Sequence, residues 1–135
     1  MSRYLLDTNA AADLVFNRRN VDVRAVMARQ HGHVLGTATP VIAELFGGIE
    51  YSASRERNLL RLNRKLSMFR IWPFTLEVAR EYGRLYAELR RTGNLMQEID
   101  MMVAAIARIL SVCIVVTTDG DLLRVPGLRV ENWAT

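Results

Sequence analysis

The sequence predicts an α/β fold with a mostly parallel central sheet. Two observations carry that prediction. Short apolar runs of strand length alternate with longer stretches of helical periodicity, and no repeat, low-complexity tract or linker divides the chain. At 135 residues, half of them hydrophobic and 24% charged, the length suits a single domain over 1–135 with its own core. Folding at this size buries roughly two-thirds of the extended-chain surface, so no metal or disulfide staple is needed for stability.

Arg3 to Leu6 reads as a short apolar strand that stops at Asp7. Asp7-Thr8-Asn9 then offers capping side chains to an alanine-rich helix reaching Phe16. Asn17 to Asn20 is a polar break, and Val21 to Gln30 reads as a second helix with Val23, Val26 and Met27 on one face. A second strand over Val34 to Gly36 leads through Thr37–Pro40 into a helix, with Pro40 in its first turn, where the missing N–H is not used. That helix carries Val41, Ile42, Leu45 and Ile49 inward with Glu44 among them, and Gly47-Gly48 weakens its later part. Ser54 starts a basic amphipathic helix. Arg70 to Phe74 is a third strand, confined by Pro73 to an edge or a strand end. Thr75 to Arg91 is a long amphipathic helix closed by Thr92-Gly93-Asn94. A further helix runs from Ile99-Asp100 to Leu110, followed by the strongest β-forming stretch, Ser111 to Val116. A last strand over Leu128 to Trp133 follows the Pro126-Gly127 turn.

Charge and cysteine usage narrow the setting. The net charge is +4, and every basic residue except Lys65 is arginine, whose planar fork suits phosphate. That excess is modest, so charge alone does not assign nucleic-acid binding. The single cysteine, Cys113, lies in an apolar run and reads as a core thiol, consistent with a reducing cytoplasm. Met1 to Leu6 is too short an apolar stretch for a signal peptide, and no run approaches the ~20 apolar residues of a membrane span. His31 and His33 stand two apart in a polar turn and read as surface residues rather than zinc ligands.

The acids carry more information. Ligands of a parallel sheet bind outside the carboxyl ends of its strands. Asp7 directly follows the first strand and Asp119 the strongest one, which puts both on the same edge. Glu44 interrupts the apolar run Val41–Phe46, and Asp100 the run Ile99–Ile106. A carboxylate is favoured at a helix N-terminus, so capping accounts for Asp100, but Glu44 lies beyond the first turn. Clustered carboxylates repel unless a cation or shared protons hold them. Oxygen ligands without a Cys/His set point to a hard cation, Mg2+ or Mn2+.

At this point the chain resembles the PIN-domain proteins, and among them the VapC-type toxins of type II toxin–antitoxin pairs. The resemblance spans the whole length. It is carried by Leu5-Leu6-Asp7-Thr8-Asn9, Thr39-Pro40-Val41-Ile42-Ala43-Glu44-Leu45, Asp100-Met101-Met102-Val103-Ala104-Ala105-Ile106-Ala107 and Val116-Thr117-Thr118-Asp119-Gly120-Asp121-Leu122-Leu123, with Val125-Pro126-Gly127-Leu128 after them. It implies a three-layer α/β/α sandwich and a Mg2+-dependent endoribonuclease, with Mn2+ as a substitute ion. The family's catalytic and metal-binding acids fall on Asp7, Glu44, Asp100 and Asp119. Asp121 is an alternative fourth ligand, because Leu122-Leu123 stands where many members have an acid followed by phenylalanine. Thr8 and Asn9 would brace the first acid, and Thr117 would offer a hydroxyl to the metal's water shell. Implied partners are an RNA substrate, a VapB-type antitoxin that brings DNA into a larger complex, and a second copy of the chain, with no membrane involved. Arg55, Arg61, Arg64 and Lys65 are candidates for the RNA backbone, or equally a solvated helix face. Phe46, Tyr51 and Leu59 are candidates for the protein contacts, or equally core residues.

Rival acid-pocket enzymes fit less well. A haloacid-dehalogenase phosphatase needs a second acid two positions after the first, where this chain has Asn9. A response-regulator receiver needs a lysine near the pocket, and Lys65 sits in a basic helix. The serious alternative is a PIN fold retained as an RNA-binding or protein-interaction module with weak catalysis.

Overall fold

The computed structural model describes residues 1–118 and 120–135. Five strands form one sheet: β1 (Arg3–Leu6), β2 (Val34–Ala38), β3 (Arg70–Trp72), β4 (Cys113–Val116) and β5 (Arg129–Glu131). Their order is β3-β2-β1-β4-β5, and every neighbouring pair is parallel. The helices are α1 (Thr8–Val15), α2 (Val21–Gln30), α3 (Thr39–Glu50), α4 (Arg55–Leu66), α5 (Leu76–Arg91) and α6 (Glu98–Ile109), with one 3-10 turn at Asp121–Arg124. The expected α/β architecture is what the chain adopts.

β1 is the central strand because both of its neighbours are needed to bury it. Leu5 and Leu6 are wholly inaccessible, as suits a strand in a covered parallel sheet. Arg3 pairs with Val34 on one side and Cys113 on the other. The buried Thr37 hydroxyl donates to the Leu6 carbonyl at 2.7 Å, tying β2 to the end of β1. Next to it, Gly36 is fixed by space: a Cβ there would lie 2.4 Å from the Trp72 ring and 2.5 Å from the Arg70 carbonyl. Only glycine lets the edge strand β3 and its tryptophan approach so closely. Pro73 directly follows β3, which lies at the sheet edge as its sequence requires.

Several boundaries and faces differ from the sequence reading. α2 buries Val21, Ala25 and Ala28, whereas Val23, Val26 and Met27 are exposed. The spacing i, i+4, i+7 selects the packing face, and the larger apolar residues lie on the other. α3 continues through Gly47-Gly48 to Glu50. β4 begins only at Cys113 because Val112 has φ +56°, a left-handed conformation that interrupts the extended chain. Gly93 and Gly127 adopt positive φ (+72° and +76°) at the turns expected of them. On the α5–α6 side, the Arg108 guanidinium donates to Glu88 at 3.2 Å, Glu81 at 3.4 Å and the Pro126 carbonyl at 3.2 Å, holding both helices to the turn before β5.

Candidate active site

The strand order changes direction beside β1: β2 and β3 lie to one side, β4 and β5 to the other. The crevice at the carboxyl ends of β1 and β4 is therefore the place where this kind of sheet binds ligands. Asp7 stands at its mouth. It is 3% exposed and held by its backbone on two sides, its N–H donating to the Val116 carbonyl at 3.0 Å and its carbonyl accepting from Ala11 at 2.8 Å. Its side chain is the N-cap of α1, with Oδ1 accepting from the Ala10 N–H at 3.0 Å. One residue thus ends the strand, starts the helix and fixes a carboxylate at the switch point.

Thr117 occupies the matching step of β4, one residue past the Leu6–Val116 pair. It is 2% exposed, and its N–H donates to the Glu131 carbonyl. Asp100 lies in the first turn of α6, half-buried between Ile99 and the buried Met101. α6 leads through a short turn into β4, so it runs back along the strands and its first turn lies at their carboxyl edge. The cap of α6 is Gln97 rather than Asp100, and it makes no side-chain capping bond.

Glu44 does not sit in the core as expected. The buried stripe of α3 is Val41, Leu45 and Ile49, and the turn angle of a helix puts Glu44 beside that stripe, where it is exposed. It nevertheless faces the site side, because α3 starts at the carboxyl end of β2. Glu44 and Thr8 line one groove of about 380 Å3. Among the described residues the buried Thr8 hydroxyl has no hydrogen-bond partner, Asp7 included, and Asn9 is exposed. Asp121 opens the 3-10 turn and is ion-paired with Arg124. Asp119 lies outside the described residues.

Other polar candidates are accounted for locally. His33 Nδ1 accepts from the Ser2 N–H at 3.0 Å, and its ring meets Tyr4 edge-on. Burial pushes the Cys113 thiol from 9.0 up to about 11, which makes it a poor nucleophile near neutral pH. Arg55 is paired with Glu50 at 2.9 Å, whereas Arg61 and Arg64 are exposed and Lys65 is half-buried. Tyr51 is 95% exposed; Phe46 and Leu59 pack partly against the core. The sequence reading missed one buried acid, Asp13 on α1, which Arg19 clamps at 2.7 Å with Arg18 at 3.7 Å. The adjacent Arg18-Arg19 pair was its only sequence signal.

Among the described residues, no group of three or more His, Cys, Asp or Glu side chains is placed to hold a metal ion. The donor chemistry on this edge still fits a hard cation. It is oxygen throughout, and the buried hydroxyl of Thr8, the residue after Asp7, has no hydrogen-bond partner among the described residues. Mg2+ characteristically keeps several waters and takes only one or two carboxylates, so a closed cage of acids is not required.

Residues 4–128 match the model of the PIN domain. The chain belongs to the PIN-domain family. Its relatives place it among the VapC proteins: it is 32% identical to Ribonuclease VapC2 of Haemophilus influenzae, over 98% of this chain and 99% of that one. It is 30% identical to the tRNA(fMet)-specific endonuclease VapC of Shigella flexneri, over 99% of this chain and 100% of that one. The fold superposes with a TM-score of 0.88 on a chain from the crystal structure of VapBC2 from Rickettsia felis bound to a DNA fragment from their promoter. That match is at 26% identity and covers 97% of this chain and 98% of the other. Among the described residues, no helix of this PIN-domain chain is long and apolar enough to cross a membrane.

Proposed function

We propose that this chain is a Mg2+-dependent endoribonuclease acting as the toxin of a toxin–antitoxin pair. The observation that carries the reading is Asp7, a buried carboxylate fixed at the switch point of a parallel sheet, in a chain whose similar proteins are named ribonucleases. Asp7, Asp100 and Asp119 would hold the ion with Glu44 at the rim; Mn2+ would serve in its place. The Asp121–Arg124 pair favours Asp119 over Asp121 as the fourth acid. Bound there, the ion supplies a Lewis acid and a water of lowered pKa.

The protein's own contribution is positional. The α1 cap and the β1 ladder keep the Asp7 carboxylate in one orientation, so no reorganisation is needed when charge develops on the phosphate. Thr117 presents a hydroxyl one strand away. The acids alone would repel RNA, and the exposed Arg61 and Arg64 of α4, with Lys65, offset that at the backbone. Arg55, engaged by Glu50, contributes less. A VapB-type antitoxin is the proposed regulator, since the superposed Rickettsia structure is of a VapBC assembly on DNA, and self-association as a homodimer in the cytoplasm goes with that reading.

The test uses single-stranded RNA with purified protein, in Mg2+ or in EDTA, beside an Asp7→Asn control. Cleavage in Mg2+ alone, lost in the variant, is the expected result. Cleavage that persists in EDTA or in the variant refutes it, and RNA retained without cleavage would make the chain a binding module.

A further inference from the structure

We propose that the groove between α1 and the α3–α4 pair is a subsite for one unstacked nucleobase of the RNA beside the cut phosphate. The proposal rests on the reading of this chain as an RNA nuclease and says which part of the substrate it grips. The groove of about 380 Å3 opens at Thr8 and Glu44, next to Asp7, and runs to Asn58 on α4. Its volume is in the range of small-molecule sites. Its walls are of two kinds: Phe16, Leu45 and Ile49 are apolar, while Ser52 and Asn58 are polar. A nucleobase has the same division, with an apolar face and a hydrogen-bonding edge.

Gly48 supplies the second observation. It lines the groove within α3, and a Cβ there would meet nothing within 4 Å. Packing therefore does not demand glycine, although glycine weakens a helix interior. The missing side chain instead leaves the groove open. Asn58 gives one N–H to the Ser52 hydroxyl at 3.3 Å, and that hydroxyl donates to the Ile49 carbonyl at 2.7 Å. Among the described residues nothing else engages the carboxamide oxygen and second N–H of Asn58, which leaves them for a ligand. A carboxamide reads an edge that sets a donor beside an acceptor, as adenine does.

Charge selects nucleic acid over an apolar peptide. The Arg18 guanidinium lies 5.2 Å over the Phe16 ring, and exposed Arg57 and Arg61 flank Asn58 on α4. An aromatic ring with a guanidinium beside it is the kind of platform on which single-stranded bases stack.

The experiment titrates each of the four nucleoside 5′-monophosphates, and ribose 5-phosphate, into the full chain in EDTA while following the amide resonances of Gly48 and Asn58. At least one nucleotide should move them, ribose 5-phosphate should not, and Gly48→Leu should abolish the response at Asn58 without lowering Tm. In Mg2+, Gly48→Leu should lose roughly tenfold of the base preference at one position beside the cut. The subsite is overturned if no nucleotide moves these resonances, if ribose 5-phosphate moves them equally, or if only a partner protein does. Should nucleotides bind while the wild-type chain leaves RNA intact in Mg2+, the nuclease reading fails and the subsite stands.

Discussion

Asp7 does two things that two substitutions separate. As the cap of α1 it accepts the Ala10 N–H at 3.0 Å, and as a buried acid it contributes a negative charge. Asp7→Ala removes both. Loss of a capping acceptor costs typically about 1 kcal/mol, which in a chain of this length lowers Tm by roughly 3–6 °C. Asp7→Asn keeps the acceptor, since asparagine caps as well as aspartate. It forfeits about 0.3–1 kcal/mol of helix-dipole attraction but also removes the cost of a carboxylate that is only 3% exposed. Its metal-free Tm should therefore stay within a few degrees of wild type or rise. Activity should sort differently: both variants should lose about a hundredfold or more of RNA cleavage in Mg2+. Thermal melts with and without Mg2+ complete the assay. Ion at a hundred times its Kd stabilises the folded state by about 2.7 kcal/mol, so the wild-type Tm should climb with Mg2+ and that of Asp7→Asn should not. If Asp7→Asn cut RNA at the wild-type rate, or melted as low as Asp7→Ala, the assignment of cap and charge to one side chain would be refuted.

Other predictions test the frame around the site. Gly36→Ala drives a methyl against the Arg70 carbonyl and the Trp72 ring, and should cost about 1–3 kcal/mol or more in urea unfolding. Trp72→Leu should rescue only part of that loss, because the carbonyl clash remains. Val112→Asn should relieve the left-handed strain at φ +56° and raise stability by about 1 kcal/mol, read as a higher Tm. Cys113 should resist alkylation at neutral pH until the chain unfolds. Because folding raises the thiol from 9.0 to about 11, the folded state binds more protons across that window. Stability should accordingly be intact below about pH 9 and fall as pH rises through about 11, a fall that Cys113→Ala should lessen in pH-dependent melts.

Asp7 was legible in the sequence because two local rules coincide on it: an apolar strand ends there and a cap begins. The turns at Gly93 and Gly127 were legible for the same reason, since left-handed backbone and glycine go together. Glu44 was misread because an acid within an apolar run looks buried, whereas the angle between Leu45 and its neighbour decides which one faces in. α2 misled in the same way, its small alanines packing while the larger valines and Met27 remain outside. Gly36 carried no local signal at all, since its constraint comes from Arg70 and Trp72, residues of another strand. The groove at Gly48 was hidden too, because the Gly47-Gly48 pair reads as helix weakness until its surroundings are known.

The central position of β1 also sets the order in which activity arises during synthesis. Arg3–Leu6 and Asp7 leave the ribosome more than a hundred residues before Cys113–Val116, the strand that closes the other side of the crevice. Even that strand is an edge until Arg129–Glu131 pairs with it. A nascent chain therefore carries Asp7 long before the crevice beside it is complete. If it is the nuclease proposed, the ribosome that makes it is shielded from incomplete copies, and a chain truncated before residue 113 is harmless.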